Sequence, residues 1–366
     1  MFFAPLIVFF FGAAIALGTV LSAVRTFVVP RSTQDYLSRA VFRTIRLFFE
    51  VVNRFARTYI QRDSVMAFYA PISLLTLVPV WLTLITLGYM CMFWASGIPT
   101  WFDAFKTSGS ALLTLGFAPV EGLLHTVLSF SEAMIGLILI ALLIAYLPTM
   151  YAAFQRRELA VTLLEVRAGK PPSAVEMIER YYRIHSLDNL GQMWQTWEQW
   201  FADIEESHTS LPAINFFRSP TSDRSWVTAA GAVLDAAALS RSILDIPKDA
   251  RADLCIRAGF LALRRIVDFY NFPYNANPRF PNDPISIRRE EFDAVYDRLA
   301  GQGVPLKPDR EQGWLDFAGW RVNYDVVLLA LCTLTMAPPA PWSADRAPQH
   351  IHDFYRQRRE THGSEK

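Results

Sequence analysis

The sequence is short of the features that mark nucleic-acid binders and metalloproteins. Its 366 residues include 35 Lys or Arg and 34 Asp or Glu, a formal net charge of +1. A nucleic-acid partner is not expected, because such proteins need a dense basic surface to displace counterions. The cysteines Cys91, Cys255 and Cys332 are widely separated and have no metal-ligand spacing. We expect them to be reduced and buried.

Catalytic motifs are also missing. The chain contains no glycine-rich phosphate loop, no HExxH or GxSxG sequence and no CxxC pair. These motifs place nucleophiles, bases, metals or phosphates in fixed geometry. We therefore expect no enzyme activity, no catalytic residue and no metal centre.

Long apolar runs are what the sequence does have, and they lie in its first 155 residues. Three stretches, 2–23, 64–95 and 122–154, are predicted to cross a bilayer. As a helix the first measures about 33 Å, against a hydrocarbon core of about 30 Å. A cleaved signal peptide is the alternative for this stretch. Its length and the absence of a preceding Lys or Arg favour an uncleaved helix.

The basic residues predict the orientation of these crossings. Between residues 25 and 63 there are eight arginines and three acids, whereas the loop 96–122 holds only Lys106. Arg156 and Arg157 follow the third crossing. Because basic residues stay on the cytoplasmic side, we expect a multi-pass plasma-membrane protein with its N-terminus outside and its C-terminal domain cytoplasmic.

The arginine-rich segment 25–63 also has a helical pattern. Charged residues, all but one of them arginines, recur every three or four residues on one stripe, and large apolar residues form an opposing face (Arg39, Arg43, Arg46, Glu50, Arg54 and Arg57 against Val41, Ile45, Phe48, Val52, Phe55 and Tyr59). Such a helix lies in the lipid interface. A soluble surface helix that packs on the cytoplasmic domain is the alternative.

The loop between the second and third crossings is unusually apolar. Residues 101–122 read WFDAFKTSGSALLTLGFAPVEG, and the part from Ala104 to Leu113 is too short to span a bilayer. This composition predicts a re-entrant half-helix followed by an extended segment. Non-helical backbone at membrane depth is tolerated only where it is buried in protein or lines water.

Thr114-Leu115-Gly116-Phe117-Ala118 resembles the selectivity filter of potassium channels, Thr-x-Gly-Tyr/Phe-Gly after a short pore helix. The resemblance covers about 65–155. It implies that Thr114, Leu115, Gly116 and Phe117 supply carbonyl oxygens to a permeant K⁺, with the Thr114 hydroxyl at the inner mouth. It also implies a homotetramer, because one loop cannot enclose an ion. The chain departs from the pattern at Leu113, Ala118 and Pro119, and we expect a left-handed Ala118 to cost about 1–2 kcal/mol.

The third crossing carries three further candidate pore or gate residues. A carboxylate as deep as Glu132 is costly in lipid, which favours a place behind the filter or facing water. Gly136 and Pro148 suit a hinge, since proline removes a backbone hydrogen bond and bends a helix. Packing is the alternative for both, because membrane helices also use glycine and proline for close contact.

The C-terminal region from Glu158 onward has helical periodicity broken by proline-rich stretches. Six helical segments are predicted (157–168, 173–205, 223–243, 247–270, 288–300 and 311–337). Ser173 and Ser286 are predicted N-caps. The run Val326–Met336 is too short to span and is predicted to be a buried core helix. Trp194, Trp197 and Trp200 favour packing over a ligand site.

Together these patterns predict an all-α membrane protein with three transmembrane helices, an interfacial amphipathic helix, a re-entrant pore loop and a mostly helical cytoplasmic domain. The expected domains are 1–63, 64–155 and 156–366. The expected function is a homotetrameric cation channel in the lipid bilayer, with K⁺ as the permeant ion and no cofactor. A non-conducting membrane-anchored sensor or scaffold is the alternative.

Overall fold

The computed structural model describes residues 3–29 and 35–348. Phe2 and Arg31, which belong to two of the predicted segments, lie outside these residues. Within the described ranges the regular elements are helices, together with one isolated antiparallel bridge between Leu244 and Leu306. The chain divides into two compact units, Met1–Ala152 and Ala153–Lys366, called here the N-terminal and C-terminal units.

The N-terminal unit contains five helices and most of a sixth. Their bounds are α1 Phe3–Phe27, α2 Tyr36–Asn53, α3 Tyr59–Met66, α4 Tyr69–Ala95, α5 Trp101–Leu112 and α6 Leu123–Ala168. Three segments are long and apolar enough to cross a membrane: α1, the span Tyr59–Ala95 that joins α3 to α4, and α6. The prediction of an all-α chain with three helices long and apolar enough to cross a membrane is confirmed at this level.

Two boundaries differ from the sequence prediction. The third crossing and the segment 157–168 form one 46-residue helix, α6, which is about 69 Å long at 1.5 Å per residue. The polar residues 155–158 are good helix formers, so they continue the helix rather than end it. The arginine-rich segment is broken between Asn53 and Tyr59, where Thr58 starts α3 with a capping box.

Helices α1 and α4 approach each other at glycine. A Cβ built on Gly12 would lie 2.3 Å from the Gly88 carbonyl oxygen, and one on Gly88 would lie 2.7 Å from the Gly12 carbonyl oxygen. Small residues let membrane helices come this close. Farther along α1, the Trp81 indole donates to Ser22 Oγ at 3.1 Å, and Ser22 Oγ donates to Asp35 Oδ2 at 2.7 Å. Asp35 also caps α2.

The C-terminal unit contains the end of α6 and seven further α-helices. These are α7 Ala174–Arg183, α8 Leu190–Ser210, α9 Trp226–Ile243, α10 Ala250–Phe269, α11 Arg289–Gly301, α12 Arg310–Arg321 and α13 Asp325–Thr335. The predicted segment 173–205 is interrupted after α7, where His185 takes a φ of 53°. Ser173 caps α7 as predicted. The Ser286 prediction is wrong: its hydroxyl instead donates to Asp325 Oδ1 at 2.7 Å.

The core of the C-terminal unit combines aromatic packing with buried ion pairs. Trp194, Trp197 and Phe201 are buried, as the packing interpretation predicts. Arg321 has no exposed surface and donates to Asp235 Oδ1 at 2.5 Å and to Asp325 Oδ1 at 2.7 Å. By length and composition alone, α12 and α13, bent by 53°, count as a fourth possible span. Leu328 and Leu331 of α13 are fully buried, which confirms the predicted core helix.

Candidate functional site

The candidate pore loop starts with a short helix that cannot cross a bilayer. Helix α5 has 12 residues, about 18 Å of helix against a hydrocarbon core of about 30 Å. Thr100 caps it, accepting a hydrogen bond from the Asp103 backbone N–H at 3.0 Å. The helix ends at Leu112, and residues 113–122 have no regular secondary structure. This segment connects α5 to α6.

The filter-like pentapeptide is held to α5 by its own backbone amides. The Leu115 N–H donates to the Ser110 carbonyl at 2.9 Å, and the Ala118 N–H donates to Ser110 Oγ at 3.1 Å. Thr114 has a φ of 54° and Gly116 a φ of 71°, both left-handed, whereas Ala118 is not among the residues with positive φ. The strain expected at Ala118 therefore does not arise, and Thr114 carries a left-handed conformation instead.

The pentapeptide is open on one side within a single chain. Leu115 is 60% exposed and Phe117 57% exposed, and Thr114 and Gly116 are also exposed. Leu113, just before them, is 52% exposed. A backbone segment with these apolar side chains needs cover from protein or lipid. The chain itself does not supply that cover in its described residues.

Glu132 on α6 faces α5. Its side chain is fully buried, and the Ser108 hydroxyl lies 2.5 Å from Glu132 Oε1 and 3.1 Å from the Thr86 carbonyl oxygen. Glu132 Oε2 has no hydrogen-bond partner among the described residues. The carboxylate therefore connects α6 to α5 inside the N-terminal unit.

Gly136 and Pro148 lie in different surroundings. A Cβ on Gly136 would lie 2.5 Å from the Leu112 carbonyl oxygen, so glycine lets α6 pass close to the end of α5. Pro148 lies inside α6 and is exposed, 12 residues farther along the helix. The structure thus brings Glu132 and Gly136 against the C-terminal half of α5, which leads into the loop, but shows no such contact for Pro148.

Sequence reasoning missed the two serines that organise this site. Ser108 contacts Glu132, and Ser110 holds the loop through its hydroxyl and its carbonyl. The run of hydroxyl side chains at Thr107, Ser108 and Ser110 in one short helix was the available signal, because a polar group at membrane depth needs a partner. Their partners depend on how α4, α5 and α6 pack.

A second polar cluster lies where α6 enters the C-terminal unit. The buried guanidinium of Arg157 donates to the Ile214 and Phe217 carbonyls, both at 2.8 Å, and pairs with Glu158. Its Nη1 lies 3.4 Å from Nε2 of the buried His208. Burial, and then the Arg157 charge, hold the pKa of His208 well below its usual value.

Among residues 3–29 and 35–348, no group of three or more His, Cys, Asp or Glu side chains is placed to hold a metal ion. Comparisons of the chain with protein-family models, with curated proteins and with solved structures found no match. The structure therefore shows an all-helical chain that has three candidate membrane spans. An exposed loop lies between the second and third of these spans.

Proposed function

We propose that the protein is a homotetrameric cation channel of the plasma membrane, with K⁺ as its permeant ion. The observation that carries the proposal is the uncovered segment 114–118, which follows a half-length helix between two candidate membrane spans. Non-helical backbone at membrane depth needs cover from protein or water. In an assembly of four copies around one axis, neighbouring copies cover the segment on its sides and a water-filled pore lies in front of it.

The proposed chemistry uses backbone oxygen. Carbonyls of Thr114, Leu115, Gly116 and Phe117, with the Thr114 hydroxyl, replace part of the hydration shell of the ion. The left-handed conformations at Thr114 and Gly116 support this, since alternating left-handed residues turn successive carbonyls to one side. Ser110 holds the loop through its hydroxyl and its carbonyl, and Glu132 holds α6 to α5 behind it. Pro148 is the proposed bend at a gate.

The topology follows the distribution of arginine. The N-terminus lies outside, the C-terminal unit is cytoplasmic, and α2 lies at the inner lipid interface. The exposed apolar side chains of α2 support this placement, because Phe48 is 62% exposed and Val51 is 51% exposed. The C-terminal unit then serves assembly or regulation.

The test is K⁺ flux through purified protein in liposomes. Wild-type protein should release trapped K⁺, and Gly116→Asp should reduce release to the level of protein-free liposomes, because a carboxylate and a Cβ enter the line of carbonyls. Gly97→Asp is the matched control. Gly97 also has a positive φ, 120°, and open space around its Cβ position, but it lies outside the filter-like segment 114–118. Equal flux from both variants would reject the filter assignment.

A non-conducting sensor or scaffold is the second candidate. It is favoured by Ala118 in place of the second filter glycine and by Pro119 in place of the usual acid. In that case the C-terminal unit binds a partner and the loop conducts nothing. The mass of the protein in detergent separates the two, since a monomer or a three-copy assembly cannot form the proposed pore.

A further inference from the structure

One strip of α2 exposes large apolar side chains. Leu47 is 58% exposed, Phe48 62% and Val51 51%. At about 100° per residue, these three positions fall within roughly one third of a turn of the helix. We call them the apolar strip. Water is a poor cover for such a surface, since about 25 cal/mol is lost for each Å² of apolar area left in it.

A row of arginines borders the apolar strip along one edge. Arg39 and Arg43 are exposed, and so is Arg54, the residue at which α2 ends. Their helical positions fall within about one sixth of a turn of one another, next to that of Leu47. We call these three residues the arginine row.

The arginine row has no counter-charge within the described part of the chain. The two acids on or next to α2 are already used, because Glu50 pairs with Arg46 and Asp35 caps the helix. Among the described residues, none of the three arginines of the row forms an ion pair. Arg39 lies over the Tyr36 ring, with its guanidinium carbon 5.7 Å from the ring centroid, which leaves its charge in place. The row therefore presents three positive charges to its surroundings.

The remaining side of α2 is fixed against the ends of two candidate membrane spans. Ser38 Oγ lies 2.7 Å from Thr26 Oγ1, near the end of α1. The hydroxyl of Tyr69, the first residue of α4, donates to the Phe42 carbonyl at 3.3 Å. Phe49 is buried, and the centroid of its ring lies 6.0 Å from that of Tyr69. These contacts fix the rotation of α2, so the apolar strip and the arginine row both stay exposed.

A helix with these three sides fits a bilayer surface that carries negative charge. The apolar strip enters the boundary between headgroups and acyl chains, and the arginine row beside it lies at the level of the headgroups. Guanidinium groups bind phosphate oxygens through paired hydrogen bonds. A second copy of the same face is a poorer cover, because it sets one row of positive charges against another.

We propose that α2 is a binding surface for anionic phospholipid, whose phosphate groups contact the arginine row while its acyl chains cover the apolar strip. The proposal rests on the interfacial placement of α2 given under the proposed function, and it does not depend on ion conduction. An arginine near an anionic membrane surface strengthens binding by about fivefold. Three of them in one row therefore select a negatively charged lipid over a zwitterionic one.

Fluorescence quenching by spin-labelled lipid in liposomes tests both the lipid and its charge. A fluorophore is placed on Leu47→Cys in the full chain, with Cys91 replaced by Ser and the buried Cys255 and Cys332 retained. Lipid labelled near the top of its acyl chain should quench the fluorophore. Labelled phosphatidylglycerol should bind beside it at least about fivefold more strongly than labelled phosphatidylcholine, as expected of a single arginine. The preference should fall at about 1 M salt, where the Debye length is about 3 Å.

Two triple variants separate the arginine row from charge in general. Replacing the row by glutamine (Arg39→Gln, Arg43→Gln and Arg54→Gln) should make the two labelled lipids quench equally. The matched control removes the same charge from exposed positions of the C-terminal unit and should keep the preference (Arg183→Gln, Arg257→Gln and Arg288→Gln). Equal quenching by the two lipids with the row intact, or the same loss of preference in both triple variants, would overturn the proposal.

Other covers of α2 give results of their own. Quenching by neither lipid would show that protein covers the apolar strip, and it would overturn both this proposal and the interfacial placement of α2. Loss of the preference on adding inorganic phosphate at constant ionic strength would assign the arginine row to free phosphate and also overturn the proposal. Gly116→Asp should leave the preference unchanged. K⁺ flux without the preference would remove the lipid site and keep the channel, while the preference without flux would remove the channel and keep the lipid site.

Discussion

Helices of the N-terminal unit meet at glycine and hydroxyl groups, whereas those of the C-terminal unit meet around buried charges. Gly12 faces Gly88 across α1 and α4, and Ser108 shares its hydroxyl between Glu132 and a backbone carbonyl. In the other unit, Arg321 is enclosed by Asp235 and Asp325. The difference follows the solvent: in lipid, close van der Waals contact and shared hydroxyls hold helices together, and charge is costly.

The first and largest test of this comparison is Arg321→Met. This substitution should lower the free energy of unfolding of the C-terminal unit by about 3–5 kcal/mol, because Asp235 and Asp325 are left buried without their cation. Thermal unfolding followed by tryptophan fluorescence measures the loss. The control is Arg310→Met, which breaks an exposed ion pair with Asp297 and should cost no more than about 1 kcal/mol. Equal losses would show that the buried cluster is not what stabilises this unit.

The matching test in the N-terminal unit is Gly88→Leu. The new side chain meets the Gly12 carbonyl and must force α1 away from α4, an overpacking cost of about 1–3 kcal/mol. Thermal stability in detergent should fall accordingly. Gly18→Leu on α1 should be tolerated, since nothing lies within 4 Å of its Cβ position. A similar response from both variants would contradict the glycine contact.

Acid should weaken the C-terminal unit through His208. Its pKa is lowered in the folded state, so the unfolded chain binds the proton first as pH falls below about 6.5. Stability is therefore retained above that pH and lost below it, by up to about 1.4 kcal/mol per pH unit. In His208→Gln the unfolding midpoint should change less between pH 7 and pH 5. An unchanged slope would assign the acid sensitivity to other groups.

The sequence predicts features that depend on composition and misses those that depend on packing. The three long apolar helices follow from runs that a bilayer requires, and the core helix α13 follows from a run too short to span. The full length of α6 was not predicted, because the polar residues 155–158 were interpreted as the end of the third crossing although they continue the helix. At the candidate site, Thr114 and Gly116 were visible as a motif. The left-handed Thr114 and the Ser108–Glu132 contact were not, because tertiary packing sets both.

The proposed ion pathway is tested by recording cation current through purified Thr114→Cys protein in a planar bilayer, with Cys91 replaced by Ser. We expect a K⁺ current that a positively charged thiol reagent blocks, because residue 114 is proposed to line the ion pathway. The Cys91→Ser protein, with threonine retained at 114, should conduct and resist the reagent. No current from either protein, or a current that the reagent leaves unchanged in Thr114→Cys, would reject residue 114 as part of an ion pathway.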